Sequence, residues 1–191
     1  MAESKLPEPR LAEPRLPEPR LSQPRLPEPW LRGTLTEVPA VQRAVLHALE
    51  LAEEDLKRWC GGLSGEEINF CPSGLPPVAF QLRHIARSLD RLLTYAEGRD
   101  LSQEQLAALK GELNPGANRN DLFSELEEGI CSSAERVRAF ETSQLEEPRS
   151  VGKRAMPTTV AGLLVHVADH TQRHVGQAII TAKIVMARRN E

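Results

Sequence analysis

Residues 160–188 read VAGLLVHVADHTQRHVGQAIITAKIVMAR. Val160, Leu163, Leu164, Val167, Ala178, Thr181 and Ile184 recur there at intervals of three and four, the spacing that lines one face of an α-helix. Pro157, Thr158 and Thr159 just ahead form a helix start signal, so the pattern predicts one long helix ending near Arg188. The same stripe carries His166, His170 and His174, four residues apart. Side chains at i and i+4 stack on one side of a helix. Two adjacent imidazoles can therefore point into one site and share a divalent metal, provided another helix supplies a third ligand.

The upstream candidate for that third ligand is His84, in FQLRHIARSLDRLL at residues 80–93. A helix is predicted from about Pro77 to Glu97, ahead of Gly98, with Val78, Leu82, Ile85, Leu89, Leu92, Leu93 and Ala96 inward. Gln81, His84, Ser88, Arg91 and Tyr95 run along one flank of that stripe, a polar seam unusual for a helix with only a structural role. Before it, Val38, Val41, Ala44, Val45, Ala48, Leu49, Ala52 and Leu56 outline a first amphipathic helix ended by Gly61 and Gly62. His47 lies off that stripe and is read as solvated. A short helix opens with a capping pattern at Ser102 and Gln105, and a further long helix covers 121–142 with Leu122, Leu126, Ile130, Ala134, Val137 and Phe140 inward. Residues 63–77 and 146–157 read as loops. Four long amphipathic helices and no convincing strand predict an all-α four-helix bundle over residues 34–191.

Residues 6–31 have a different character. The unit LPEPR recurs, with variants LAEPR, LSQPR and LPEPW, and holds more than half of the chain's 15 prolines. Proline removes backbone donors and pushes its neighbours toward extended conformations. With one Leu per unit and alternating Glu and Arg, too little apolar surface is available to offset ordering entropy. Residues 1–33 are therefore expected to be a disordered, proline-rich tail, dispensable for folding of the bundle. Docking into a groove that binds proline-rich peptides is the functional alternative, and nothing else in the chain supports it.

A formal net charge of −3 and a pI near 6.0 argue against a nucleic-acid partner, which would draw on a positive field. No apolar leader opens the chain and no long apolar run occurs, so no membrane partner and a cytoplasmic location are expected. The 3 cysteines, Cys60, Cys71 and Cys131, are widely spaced without a CxxC and read as reduced thiols.

The best ligand set from spacing is His84, His170 and His174. Three histidines at i, i+4 and i+8 drift by about 40° per step on an ideal helix, so only an adjacent pair aims well at one ion. His166 is therefore left outside, where a hydrogen-bonded structural role is the better reading. Three nitrogens leave an open position, the arrangement of a catalytic rather than a closed structural zinc site. Asp169, Gln172, Gln177, Gln81 and Tyr95 are candidates for orienting the rings. Gly176, unfavourable inside a helix, suggests close helix approach or pocket space.

At these residues the chain resembles the DinB/YfiT-like superfamily. HIARSLDRLL followed far downstream by HTQRHVGQ is similar to its pattern of one His in the second helix and His-x-x-x-His ahead of Gly-Gln in the last. The resemblance covers roughly residues 34–188. His84, His170 and His174 match the family's metal ligands, and Gly176 and Gln177 match its Gly-Gln. Many members carry Arg directly after the last His, where this chain has Val175, with Arg173 before His174 instead. The resemblance implies a four-helix bundle holding a divalent ion, zinc or nickel, commonly as a homodimer. It further implies a small-molecule substrate and transfer of a low-molecular-weight thiol such as bacillithiol or mycothiol. Hydrolysis by metal-activated water, and a non-catalytic protein in which the ion only ties helices together, are the alternatives.

Overall fold

The chain is described by a computed structural model over residues 26–190; the repeat units before residue 26, expected to be disordered, lie outside the described residues. Six helices follow one another: α1 (Ala40–Cys60), α2 (Gly65–Asn69), α3 (Val78–Ala96), α4 (Gln103–Lys110), α5 (Arg119–Arg138) and α6 (Val160–Ala187). The four long ones are α1, α3, α5 and α6. Each of α1 and α3 packs on both α5 and α6, which closes a four-helix ring around one core. Leu49 and Leu56 of α1, Leu82, Ile85, Leu89 and Leu93 of α3, Leu122 and Leu126 of α5, and Leu164 of α6 are all but fully buried. Truncating one such leucine to alanine costs about 2–5 kcal/mol, so this set carries much of the fold's stability.

Helix ends follow local chemistry. The Asn118 side chain accepts from the backbone N–H groups of Asn120 and Asp121 at the start of α5, and Thr159 Oγ1 accepts from Gly162 N–H at the start of α6. At the α3/α5 crossing, a Cβ added to Gly129 would lie 3.1 Å from Ala86 Cβ. Glycine lets the two backbones approach there.

Several elements differ from the sequence expectation. The supposed loop at 63–77 contains α2, nucleated by a reciprocal capping box in which Ser64 and Glu67 satisfy one another's backbone N–H. The connection before α6 is a two-stranded antiparallel hairpin, β1 (Pro148–Val151) with β2 (Met156–Thr159), in the register Pro148↔Thr159 to Val151↔Met156. Arg149 Nε donates to Ala96 O at 2.7 Å and ties this hairpin to the end of α3. On α6, Ile184 is exposed while Val175, Ala182 and Val185 are buried, because the apolar stripe drifts around a helix this long. The histidines flank that stripe. On α5, Ser133 rather than Ala134 is buried.

The N-terminal arm is the largest departure. Pro29–Leu31 form a single 3₁₀ turn packed on α1, with Pro29 buried. Arg32 makes two parallel bonds to the Glu54 carboxylate, at 2.6 and 2.7 Å, and a third to Glu50 at 2.8 Å. His47, expected to be solvated, is buried beneath this arm, its Nε2 3.2 Å from Thr34 Oγ1. No helix among the described residues is long and apolar enough to cross a membrane.

Candidate metal centre

Gln81, His84, Ser88 and Arg91 are spaced three and four apart, so they share one flank of α3, and that flank faces α6. His170 and His174, one turn apart on α6, meet it. The three rings of His84, His170 and His174 contact one another pairwise, with centroids 4.3–5.1 Å apart. Each ring offers one nitrogen, and the three nitrogens lie within 4.8 Å of one another. His84 Nε2 and His170 Nε2 are 3.4 Å apart. Two nitrogens bound at about 2.0–2.1 Å to a tetrahedral ion would sit about 3.3–3.4 Å apart, so this pair is already spaced for one.

What holds the rings is as informative as where they meet. His84 Nδ1–H donates to Glu112 Oε2 at 2.7 Å, and His174 Nδ1–H donates to Gln81 Oε1 at 2.7 Å. Ser88 Oγ lies 3.4 Å from His170 Nδ1. With every Nδ1 engaged, the tautomer assigned from these partners leaves the Nε2 lone pairs of His84 and His170 turned toward one another, with His174 beside them and hydrogen-bonded to Gln177 as well. Converging lone pairs repel, and a cation between them removes that repulsion.

Glu112 is buried between two partners, since Arg91 Nη1 donates to its Oε1 at 2.6 Å. Burial raises its carboxyl pKa, but the hydrogen bonds from His84 and Arg91 outweigh burial and hold it below the usual carboxylate value. It stays an anion. Its turn is pinned by Arg83 Nη1, which donates to the carbonyls of Gly111, Glu112 and Asn114 at 3.0–3.3 Å. Arg87 Nη1 holds the end of α4 through Ala108 O at 2.7 Å. Glu112 was not foreseen from the sequence, because it sits past a short helix with no periodicity to mark it. The signal available was the row Arg83, Arg87, Arg91 on one side of α3, three cations beside a core and in need of acceptors.

Burial, and then the proximity of the other histidines and of Arg173, push His170 down to about 4. His174 is likewise lowered to about 4 by burial, then by His84 and Arg173, with Glu112 and Gln177 opposing. Both rings are therefore neutral at neutral pH, the form a metal requires. A set of three imidazoles suits zinc, nickel, copper or iron better than magnesium or calcium. Among the described residues these three histidines are the one group of His, Cys, Asp and Glu gathered closely enough to hold an ion.

The remaining sequence candidates fall outside. His166 contacts His170 at 5.4 Å between centroids, but its side chain is half exposed and not among the three converging rings. Asp169 is bound by Arg173 Nη2 at 2.6 Å on the solvent side. Gln172 Nε2 donates to Ala48 O on α1, which ties α6 to α1 rather than orienting a ring. Tyr95 lines a separate cleft with Arg99 and Arg149. Gly176 has nothing within 4 Å of a built Cβ, so it marks open space and not close helix approach.

A family model described as the DinB superfamily matches residues 48–178, a span that contains all three histidines. The crystal structure of a conserved protein from Enterococcus faecalis is similar in fold, with a TM-score of 0.65 at 20% identity, covering 78% of this chain and 99% of that one. No curated protein matches the sequence.

Proposed function

The chain belongs to the DinB superfamily, and from that premise together with the three converging imidazoles we propose that it is a metal-dependent enzyme that transfers a low-molecular-weight thiol to a small electrophile. In this reading His84, His170 and His174 hold a zinc or nickel ion. The observation that carries it is the three imidazole nitrogens gathered within 4.8 Å of one another, with the Nδ1 atoms of His84 and His174 held by Glu112 and Gln81. Three donors leave room for an exogenous ligand, and no fourth His, Cys, Asp or Glu joins the group among the described residues.

When bound, the metal lowers the pKa of a thiol and favours its thiolate. The protein's own residues do the rest. Gln81, Ser88 and Glu112 fix the ring orientations, and Arg91 keeps Glu112 ionised so that His84 remains a good donor. The sulfur attacks an electrophilic carbon, a C–S bond forms, and the leaving group departs with the electron pair of the bond it loses. The thiol proton goes to solvent. A hydrolytic reading finds less support, since Asp169 is held by Arg173 and Glu112 is held by His84 and Arg91. A homodimer belongs to the same proposal and is read by sedimentation equilibrium.

The test incubates untagged protein, loaded with zinc or nickel, with bacillithiol, mycothiol or glutathione and monobromobimane, and follows thioether formation by mass spectrometry. Metal-dependent turnover that disappears in His170→Ala is the expected result. Ester or amide hydrolysis without thioether would favour metal-activated water. A bound ion with neither activity would favour the non-catalytic role.

A further inference from the structure

We infer that the cleft between α6 and the segment leading into α3, one helical turn beyond the triad, binds the body of the acceptor molecule, a small apolar uncharged organic compound; this rests on the thiol-transfer reading above. A cleft of about 490 Å³ opens there, lined by Leu75, Pro76, Gln81, Gly176, Gln177 and Ile180. Its size falls within the range of about 300–1,000 Å³ typical of small-molecule sites, and apolar walls with few polar groups are the usual lining.

Its position ties it to the triad. Gln81 is buried and accepts from His174 Nδ1–H, so one side chain is both a wall of the cleft and the support of a ligand ring. Gln177 follows His174 by one turn of α6, as Gln81 precedes His84 by one turn of α3. None of the three histidines lines the cleft itself, so the two are joined through Gln81 and Gln177, which both hydrogen-bond His174.

Its lining indicates what it takes. Leu75 and Ile180 present apolar side chains that are 40% and 52% exposed, an unfavourable arrangement for two neighbours unless something covers them. Gly176 is unfavourable inside a helix, and packing does not demand it, because an added Cβ would meet nothing within 4 Å. The missing side chain leaves volume in the cleft itself. Arg173, the single charged group of the lining, is paired with Asp169, so the cleft offers a charged ligand no unpaired partner among the described residues.

The experiment titrates the uncharged apolar fluorophore N-phenyl-1-naphthylamine into the full chain and into Gly176→Leu and Ile180→Asp, with metal content and far-UV circular dichroism measured on each. Gly176→Leu fills open space and Ile180→Asp places a charge in the cleft at an exposed position, so both variants are expected to fold and to keep their metal. The inference expects saturable binding to the wild type, weakened at least tenfold in each variant. Absence of saturable binding in the wild type, or wild-type affinity retained in either variant, would overturn it. So would a dimer that excludes the probe and splits in Ile180→Asp, because the groove would then be a subunit interface. A wild type that binds the probe but holds no metal and transfers no thiol would instead sink the proposed function, so the two failures are distinguishable.

Discussion

Helix α3 has two working faces, and they are built on opposite terms. Against α5 it is dry: Ala86 meets Gly129 at close range, and ion pairs such as Arg87 with Glu125 at 2.6 Å and Arg136 with Asp90 at 2.7 Å stay at the rim. Against α6 it is polar: Gln81, His84 and Ser88 meet His170 and His174, each ring has a partner at Nδ1, and the three rings bring one nitrogen each within 4.8 Å of the others. On the first face these charged groups find their partners within the chain. The second face leaves lone pairs converging on a point that the chain does not fill. Stability is concentrated where the side chains are interchangeable hydrophobes, and chemistry where each polar atom has an assigned partner.

That contrast predicts which changes act on folding and which on the site. Leu89→Ala, deep in the core of α3, is expected to cost about 2–5 kcal/mol in denaturant unfolding while the metal stoichiometry of the folded protein stays the same. Loss of metal without loss of stability would mean that the two faces are not separable.

Glu112→Gln is the converse probe. It keeps shape and a hydrogen-bond acceptor for His84 but removes the charge that makes the imidazole more basic and leaves Arg91 without its anion. Metal affinity is expected to fall by about 10–100-fold, the usual effect of removing such a support. An unchanged affinity by competition with a calibrated chelator would show that Glu112 serves Arg91 and the fold alone.

The N-terminal arm gives a smaller effect with a sharp boundary. Deleting residues 1–25 is expected to leave the melting temperature unchanged. Deleting residues 1–33 removes Pro29 and the paired Arg32 contact to Glu54 and is expected to lower the melting temperature, modestly because the ion pair is partly exposed. Equal melting temperatures for both truncations would show that the arm only rests on α1.

The smallest expected effect is the acid response of the metal-free protein. His170 and His174 titrate near 4 in the fold against an ordinary value of about 6.5, so between those values the unfolded chain binds more protons. Their contribution to stability is present in full above 6.5 and is lost as pH falls toward 4. Solvent reaches both half-buried rings, which keeps the loss modest. With metal bound the acid loss is expected to be steeper, since protons then displace the ion as well. Parallel melting curves with and without chelator across this range would count against a bound ion.

Periodicity made the four long helices legible, and with them the facing of His84 by His170 and His174, because both depend on spacing along single helices. What escaped depends on contacts between segments. His47 lies off the apolar stripe and is buried only because the Thr34 arm folds over it. The hairpin at 148–159 has four-residue strands, too short for alternation to show, and is held by Arg149 reaching back to Ala96. Helix α2 is a different case, since the S-x-x-E of Ser64 and Glu67 stood in the sequence and was obscured by the prolines after it. Glu112 escaped for want of any local pattern, although the arginine row on α3 announced that an acceptor was needed.

The central claim is that the polar face of α3 and the last helix together hold one metal ion. Its direct test is a zinc titration of the untagged chain at pH 7.5 by isothermal calorimetry, beside single alanine variants of the four histidines in question. One ion per wild-type chain is expected, with binding abolished in His84→Ala, His170→Ala and His174→Ala and most of it kept in His166→Ala. Binding that survives in the first three variants, or is lost equally in His166→Ala, would contradict it.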